Sequence, residues 1–316
     1  MNFGIIGYGN IAKRFFKSIQ HTSEGEVTAI GSKSLSHNQV FKQENPGINV
    51  YPTYEALLSD PAIDAVYLAL PHQDHLEWSL KALNRGIPVL CEKPAVLTTP
   101  AMQEIITASK ENQTLFMEAF KTKFNVGFNQ LKNDMKQLGK IKQIEASFCF
   151  DIGESRDEQS YLFQKNQGGA LNDVGTYSIG FVQALIESPL QQIIPQADFV
   201  NDVDEYFQAT LTFENGTIGI VEGAIGREKE RLARVIGEHG EITIPFFYRM
   251  DQYTLQLNNQ ASITRDFPIQ GDDMTLEIQH FIDLIKEKQV ESSVHRLEHT
   301  AQIIETMEKI RKKITR

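Results

Sequence analysis

Cys91-Glu92-Lys93-Pro94 puts a primary amine at the end of a short apolar run, Pro88-Val89-Leu90. A strand that ends in a Glu-Lys pair and is stopped at once by proline leaves that ammonium at the carboxyl edge of a sheet. Open α/β sheets bind ligands at that edge. Converting a secondary alcohol to a ketone needs a hydride acceptor and a base for the hydroxyl proton, and the reverse needs an acid. Lys93 can serve if burial beside a cationic ring lowers its pKa toward neutrality. Taken alone, the pair reads as a structural ion pair, and its setting in the chain decides between the two.

That setting begins at Gly7-Tyr8-Gly9-Asn10-Ile11-Ala12, which follows an apolar run and opens a helical pattern. The first glycine allows the tight turn, the second lets a pyrophosphate approach the backbone, and the small third residue lets helix and strand pack closely. After a first strand such a turn points to a dinucleotide. An NAD site wants an acid at the end of the second strand, but Glu24 and Glu26 precede that strand. Its end reads Ala29-Ile30-Gly31-Ser32-Lys33-Ser34. Two hydroxyls and a cation suit a 2′-phosphate, so NADP is expected, with NAD as the alternative.

A second cluster is Gly168-Gly169-Ala170-Leu171-Asn172-Asp173-Val174-Gly175-Thr176-Tyr177. Asp173 and Tyr177 are four apart and would share one helix face. A carboxylate beside a phenol can bind a polyol or relay a proton; equally, it is a dipole-stabilised helix acid beside a core tyrosine. His72 with His75, and His295 with His299, lack the further ligands that a zinc site needs, so no metal is expected. No Gly-x-Ser-x-Gly or Cys–His motif points to hydrolysis.

These residues need a frame. Residues 1–120 alternate short apolar strands (Phe3–Ile6, Val27–Ile30, Ala65–Leu70, Val89–Cys91, Thr114–Ala119) with helical patterns, which implies parallel βαβ units in a doubly wound sheet. Residues 121–316 read differently. Phe207, Ala209, Leu211 and Phe213 keep strict period two, and Asn215-Gly216 marks a hairpin turn to Ile218–Val221. The expected fold is therefore α/β, a parallel dinucleotide-binding domain (1–120) followed by an α+β domain (121–316) with a large, mostly antiparallel open sheet. Helices around Asp173–Leu185, Thr275–Lys288 and Leu297–Lys313 are expected to cover one face of that sheet. The uncovered face predicts a homodimer or homotetramer.

The net charge of −10 argues against nucleic acid as a partner. Two cysteines make no disulfide framework, and no signal-like or membrane-spanning run is present, so a cytoplasmic protein with a small-molecule substrate is expected.

Taken together, Gly7-x-Gly9, Ala69-Leu70-Pro71-x-x-x-His75, Cys91-Glu92-Lys93-Pro94, Met117-Glu118-Ala119-Phe120 and Gly168-Gly169-Ala170-Leu171-x-Asp173-Val174-Gly175-x-Tyr177 resemble the glucose–fructose oxidoreductase/inositol dehydrogenase (Gfo/Idh/MocA) family over essentially the whole chain. The resemblance implies an N-terminal Rossmann domain, a C-terminal sheet used in oligomers, a catalytic Lys93 and a cis Lys93–Pro94 bond. It implies Tyr177 as acid or base, as in the dihydrodiol and pyranose dehydrogenase branch; from its place beside that phenol, Asp173 is expected to orient substrate. The cofactor surface would comprise Gly7, Gly9, Asn10, Ile11, Ser32, Lys33, Leu70, Pro71, His75 and Glu92. The expected activity is NADP-dependent oxidation or reduction at a carbinol carbon of a sugar, cyclic polyol or diol. Alternatives are a biliverdin-reductase-like enzyme on a non-sugar substrate and a non-catalytic NADP(H)-binding regulator. Where relatives often carry an aromatic, an arginine and His-Pro, this chain has Lys121-Thr122-Lys123-Phe124-Asn125-Val126, and Asn172 replaces a common leucine.

Overall fold

The apolar runs of the first 120 residues are buried on both faces, as strands of a covered parallel sheet must be. In the computed structural model, which describes residues 1–269 and 271–314, Ile5, Ala65, Leu68, Val89, Leu90 and Phe116 have no exposed surface. The strands are β1 (Asn2–Ile6), β2 (Glu26–Gly31), β3 (Asn49–Tyr51), β4 (Ala65–Leu68), β5 (Val89–Glu92) and β6 (Phe116–Ala119). All pair in parallel in the order β3-β2-β1-β4-β5-β6. Chain direction along the sheet edge reverses between β1 and β4, which opens a crevice at their carboxyl ends. The connecting helices start where the sequence provides caps. Thr98 accepts the Ala101 N–H ahead of Thr99–Glu111, with Pro100 in the first turn where a missing N–H costs nothing.

The second sheet contains β7 (Ile141–Cys149), β8 (Leu190–Val200), β9 (Val203–Phe213), β10 (Ile218–Ala224), β11 (Leu232–Gly237), β12 (Gly240–Pro245), β13 (Gln252–Leu257) and β14 (Ile263–Asp266). Their order is β14-β13-β12-β11-β7-β10-β9-β8, and every pair is antiparallel except β7 with β10. The period-two residues Phe207, Ala209, Leu211 and Phe213 of β9 are buried as expected, under the helix Thr176–Leu185. Asn215-Gly216 makes the β9–β10 turn with Gly216 at φ +83°, and the Asn215 side chain accepts the Thr217 N–H. Ile194, Phe199, Val200, Ile218 and Ile263 stay exposed on this sheet.

The chain divides into two units, Met1–Phe120 with Gln270–Ala301 and Lys121–Ile269 with Gln302–Arg316. This corrects the expectation that everything after residue 120 belongs to the second domain. The helix Thr275–Lys286 does not cover the antiparallel sheet. It packs on the first unit, where the Phe281 ring lies 6.1 Å from that of Phe3 and Gln279 accepts the Ser23 N–H at 2.9 Å. An amphipathic helix announces that it has a face to bury, not which sheet it buries against.

Candidate active site

Gly7 directly follows β1 at φ +86°, and a Cβ there would lie 2.6 Å from the Ala69 carbonyl oxygen. Only glycine fits both the conformation and the approach. Gly9 is different. It caps the helix Asn10–Ser18 at φ −83°, and a Cβ would meet nothing within 4 Å. The first turn has no side-chain cap and no acid. An uncapped helix N-terminus with the positive end of its dipole and no acid nearby suits an anion. Asn10 is exposed, Ile11 half-buried and Ala12 fully buried against the sheet.

At the end of β2, Ser32 is buried with its Oγ 3.3 Å from that of Ser34, and Lys33 is exposed. No acid stands at this strand end. These features fit a dinucleotide whose adenosine ribose carries a phosphate.

Lys93 follows the last residue of β5, two strands along the same carboxyl edge from Gly7, and is half-buried. Strand spacing puts those two strand ends roughly 10 Å apart. The Lys93–Pro94 bond is cis. Glu92 is buried; it accepts a hydrogen bond from the Tyr67 hydroxyl and, at 3.3 Å, one from the Lys93 N–H. Leu70 and Pro71, after β4, are half-buried on the same edge.

His75 was expected on the cofactor surface, and the structure buries it completely. Its Nδ1 lies 3.0 Å from the Pro94 carbonyl oxygen and its Nε2 3.0 Å from that of Leu70. Burial pushes this imidazole below its ordinary pKa, against the pull of those carbonyls. As a neutral ring it has one N–H, so it donates to one of these two carbonyl oxygens and packs against the other, between the loop after β4 and the loop after β5.

Glu118, at the end of β6, is also buried. Its Oε1 accepts the Ala95 N–H at 2.9 Å, and its Oε2 lies 2.9 Å from His295 Nε2 and accepts from Thr300 Oγ1 at 3.2 Å. Burial pushes the carboxyl up, but the donors His295, Ala95 and Thr300 outweigh it and hold the pKa below the ordinary value. The Met117-Glu118-Ala119-Phe120 motif drew attention to Glu118, whereas nothing in the sequence marks His295 or Thr300 as its partners.

In the second unit, Asp173 lies in a π-helical turn, Leu171–Gly175, that runs into the helix Thr176–Leu185 carrying Tyr177. Both side chains are half-buried. The Tyr177 ring sits 5.7 Å from Phe148 and 6.0 Å from Tyr248, which stack on each other at 4.0 Å. The Lys121 ammonium is 5.9 Å from both tyrosine rings, a cation–π distance. Lys123 is buried. The Gly168-Gly169 pair signals close approach and delivers it. A Cβ at Gly168 would clash with the Leu162 carbonyl, and one at Gly169 (φ +92°) with the Asp204 carboxylate. Asn172 donates to the Gly168 and Gln167 carbonyls and accepts from Arg311. Among the described residues no cluster of three His, Cys, Asp or Glu could hold a metal ion, and no helix is long and apolar enough to cross a membrane.

Similarity to known proteins follows the same two-part division. The chain is 26% identical over 319 residues to the scyllo-inositol 2-dehydrogenase (NADP(+)) IolU of Bacillus subtilis, covering 99% of this chain and 97% of that one. It is 29% identical over 252 residues to the trans-1,2-dihydrobenzene-1,2-diol dehydrogenase of Danio rerio, covering 78% and 74%. Among solved structures, KijD10, a 3-ketoreductase from Actinomadura kijaniata in complex with TDP-benzene and NADP, superposes with a TM-score of 0.85 at 22% identity over 98% and 96% of the chains. At that identity the likeness is one of fold. The description "oxidoreductase family, NAD-binding Rossmann fold" matches residues 1–120, and the C-terminal domain of the same family matches residues 133–243. With both halves of the family signature present in order, the chain belongs to the GFO/IDH/MocA oxidoreductases.

Proposed function

We propose that this chain is an NADP-dependent oxidoreductase acting at a carbinol or carbonyl carbon of a sugar, cyclic polyol or diol. The observation that carries the reading is the placement of Lys93. A half-buried amine stands on the same sheet edge as an uncapped helix N-terminus behind Gly9, with Ser32 and Lys33 in place of an acid. The relatives named as acting on scyllo-inositol, with NADP(+), and on dihydrobenzenediol support the substrate class.

When bound, NADP supplies the hydride acceptor or donor. The helix Asn10–Ser18 holds its pyrophosphate with Gly7, Gly9, Asn10 and Ile11, and Ser32 and Lys33 hold the 2′-phosphate. Leu70, Pro71 and Glu92 line the same edge, with His75 beneath them fixing its loops. Lys93 binds the substrate hydroxyl through its amine and favours the ionised form of whichever group takes the proton. Tyr177 takes that proton from, or returns it to, the substrate oxygen, and Asp173 accepts a hydrogen bond from a neighbouring hydroxyl. The Phe148–Tyr248 stack beside Tyr177 offers an apolar wall for the C–H face of a ring.

The exposed Ile194, Phe199, Val200 and Ile218 support association of copies through the antiparallel sheet, as a dimer or tetramer. Two free, buried cysteines fit a reducing, cytoplasmic setting. The test is NADPH fluorescence on mixing, then absorbance at 340 nm with scyllo-inositol, D-xylose and trans-dihydrobenzenediol. Turnover that is lost in Lys93→Met supports the reading. Nucleotide binding without turnover across that panel, and an unaltered Lys93→Met, would favour the regulator instead.

A further inference from the structure

The peptide group between Pro94 and Ala95 is held at both ends by buried side chains. Its carbonyl oxygen lies 3.0 Å from His75 Nδ1, and its N–H donates to Glu118 Oε1 at 2.9 Å. His75 and Glu118 are 0% and 1% exposed, so neither contact is open to bulk water, and the Nδ1–H tautomer of His75 donates to this carbonyl. This peptide is joined to Lys93 through the ring of Pro94, whose φ has little freedom. Fixing its plane therefore fixes where the Lys93 backbone points.

A buried carboxylate is a costly way to satisfy one backbone N–H, because its own charge must also be compensated. Here the compensation comes from the far end of the chain. His295 Nε2 and Thr300 Oγ1 both reach Glu118 Oε2, and the two lie 3.1 Å from each other. The His295 ring stacks on Phe120 at 5.1 Å, and its backbone N–H is held by Ser292 Oγ at 3.0 Å. The orientation of Glu118 is thus set by the segment 292–300, which returns to the first unit after the second has been built.

We propose that Glu118, oriented by His295 and Thr300, and His75 are positioning residues for Lys93. The C-terminal return segment has the role of completing the active site rather than only capping a fold. The inference rests on the reading of Lys93 as catalytic, but its geometry can be tested without substrate. The surface lysines and Lys93 are reductively methylated with ¹³C, and the Lys93 resonance is assigned by its absence in Lys93→Arg. Wild type is compared with Glu118→Gln, His295→Leu and His295→Gln; the last keeps an N–H donor toward Glu118.

The Lys93 signal is expected to move in Glu118→Gln and His295→Leu and to return toward the wild-type position in His295→Gln. For the substrate that wild type turns over, kcat falls about tenfold or more in the first two variants and recovers to within about threefold in the third, while the Kd for NADPH stays within about threefold. A Lys93 signal and a kcat unchanged in folded Glu118→Gln and His295→Leu would overturn the proposal. So would losses confined to melting temperature. Should Glu118→Gln fail to fold, Thr300→Val removes one donor and is expected to move the same signal by less; no movement overturns the proposal. If wild type turns over nothing on the panel, the resonance still decides the positioning claim, and only the catalytic reading fails.

Discussion

Asp204 Oδ2 accepts the backbone N–H of Leu171 at 2.8 Å, at the first residue of the π-helical turn that carries Asp173. The carboxylate packs against Gly169, where any side chain would collide with it. A residue on β9 therefore holds the start of the segment proposed to bind substrate. Burial raises the Asp204 carboxyl to about 6, against the pull of the Leu171 N–H and the nearby Arg311 charge.

That raised pKa has a definite consequence for stability. The folded chain holds this proton more tightly than the unfolded chain, whose carboxyl titrates near 3.8. The stabilisation is full below about pH 4 and is lost as pH rises through about 6, at a cost on the order of 3 kcal/mol above that. Asp204→Asn keeps an oxygen for the Leu171 N–H and has no charge to desolvate. It is expected to melt a few degrees above wild type at pH 8 and to lose that advantage at pH 4. Melting curves across pH 4–8 check this, and equal melting temperatures at pH 8 would refute it.

Gly7 and Gly9 separate folding from binding. Gly7→Ala would force a Cβ at positive φ to within 2.6 Å of the Ala69 carbonyl oxygen. A loss of about 1–3 kcal/mol of stability is expected. Gly9→Ala meets no atom and has a φ that any residue adopts. Its melting temperature should match wild type, while NADPH binding weakens about tenfold or more because the methyl occupies the pyrophosphate's approach. Unfolding curves together with NADPH titrations distinguish the two. Unweakened binding in Gly9→Ala would remove this helix N-terminus from the proposed site.

The features that the sequence displayed most clearly are the local ones. A glycine at positive φ, a proline-stopped strand and an Asn-Gly turn each act within a few residues, so Gly7, Lys93-Pro94 and Asn215-Gly216 were legible and lie where expected. The strand β8 was not read as one. Leu190–Val200 lacks alternation and contains Pro195, which is tolerated because β8 is the edge of its sheet. The helix Val126–Met135 was missed as well, although its buried Phe128, Leu131 and Met135 stand at i, i+3 and i+7, the spacing of one helix face. What no periodicity could reveal is pairing across long separations. His295 meets Glu118 and Asp204 meets Leu171 only once the fold has formed, and each is an ordinary polar residue in its own neighbourhood.

Lys93 and Tyr177 are expected to affect chemistry far more than binding. Lys93→Met should lower kcat about 10³-fold, and Tyr177→Phe about 10²-fold or more, the range set by loss of a proton-transfer group. The Kd for NADPH is expected to stay within about threefold in both. Stopped-flow or steady-state rates at 340 nm, with fluorescence titration of NADPH, check both numbers. A Tyr177→Phe variant at wild-type speed would assign the proton to Lys93 alone.

Lys33 tests the choice of dinucleotide. It is exposed at the end of β2, next to the buried Ser32, with no carboxylate at that strand end to bind a ribose 2′-hydroxyl. A cation there gains only from a 2′-phosphate, and solvent screens part of that gain. Lys33→Ala is therefore expected to weaken NADPH about tenfold and to leave NADH within about twofold. The loss should shrink as salt rises, because an exposed ion pair is screened and a buried hydrogen bond is not. Titrations of both dinucleotides at two ionic strengths give the answer. Equal losses for NADPH and NADH would place Lys33 outside the phosphate site and leave the 2′-phosphate to Ser32 and Ser34.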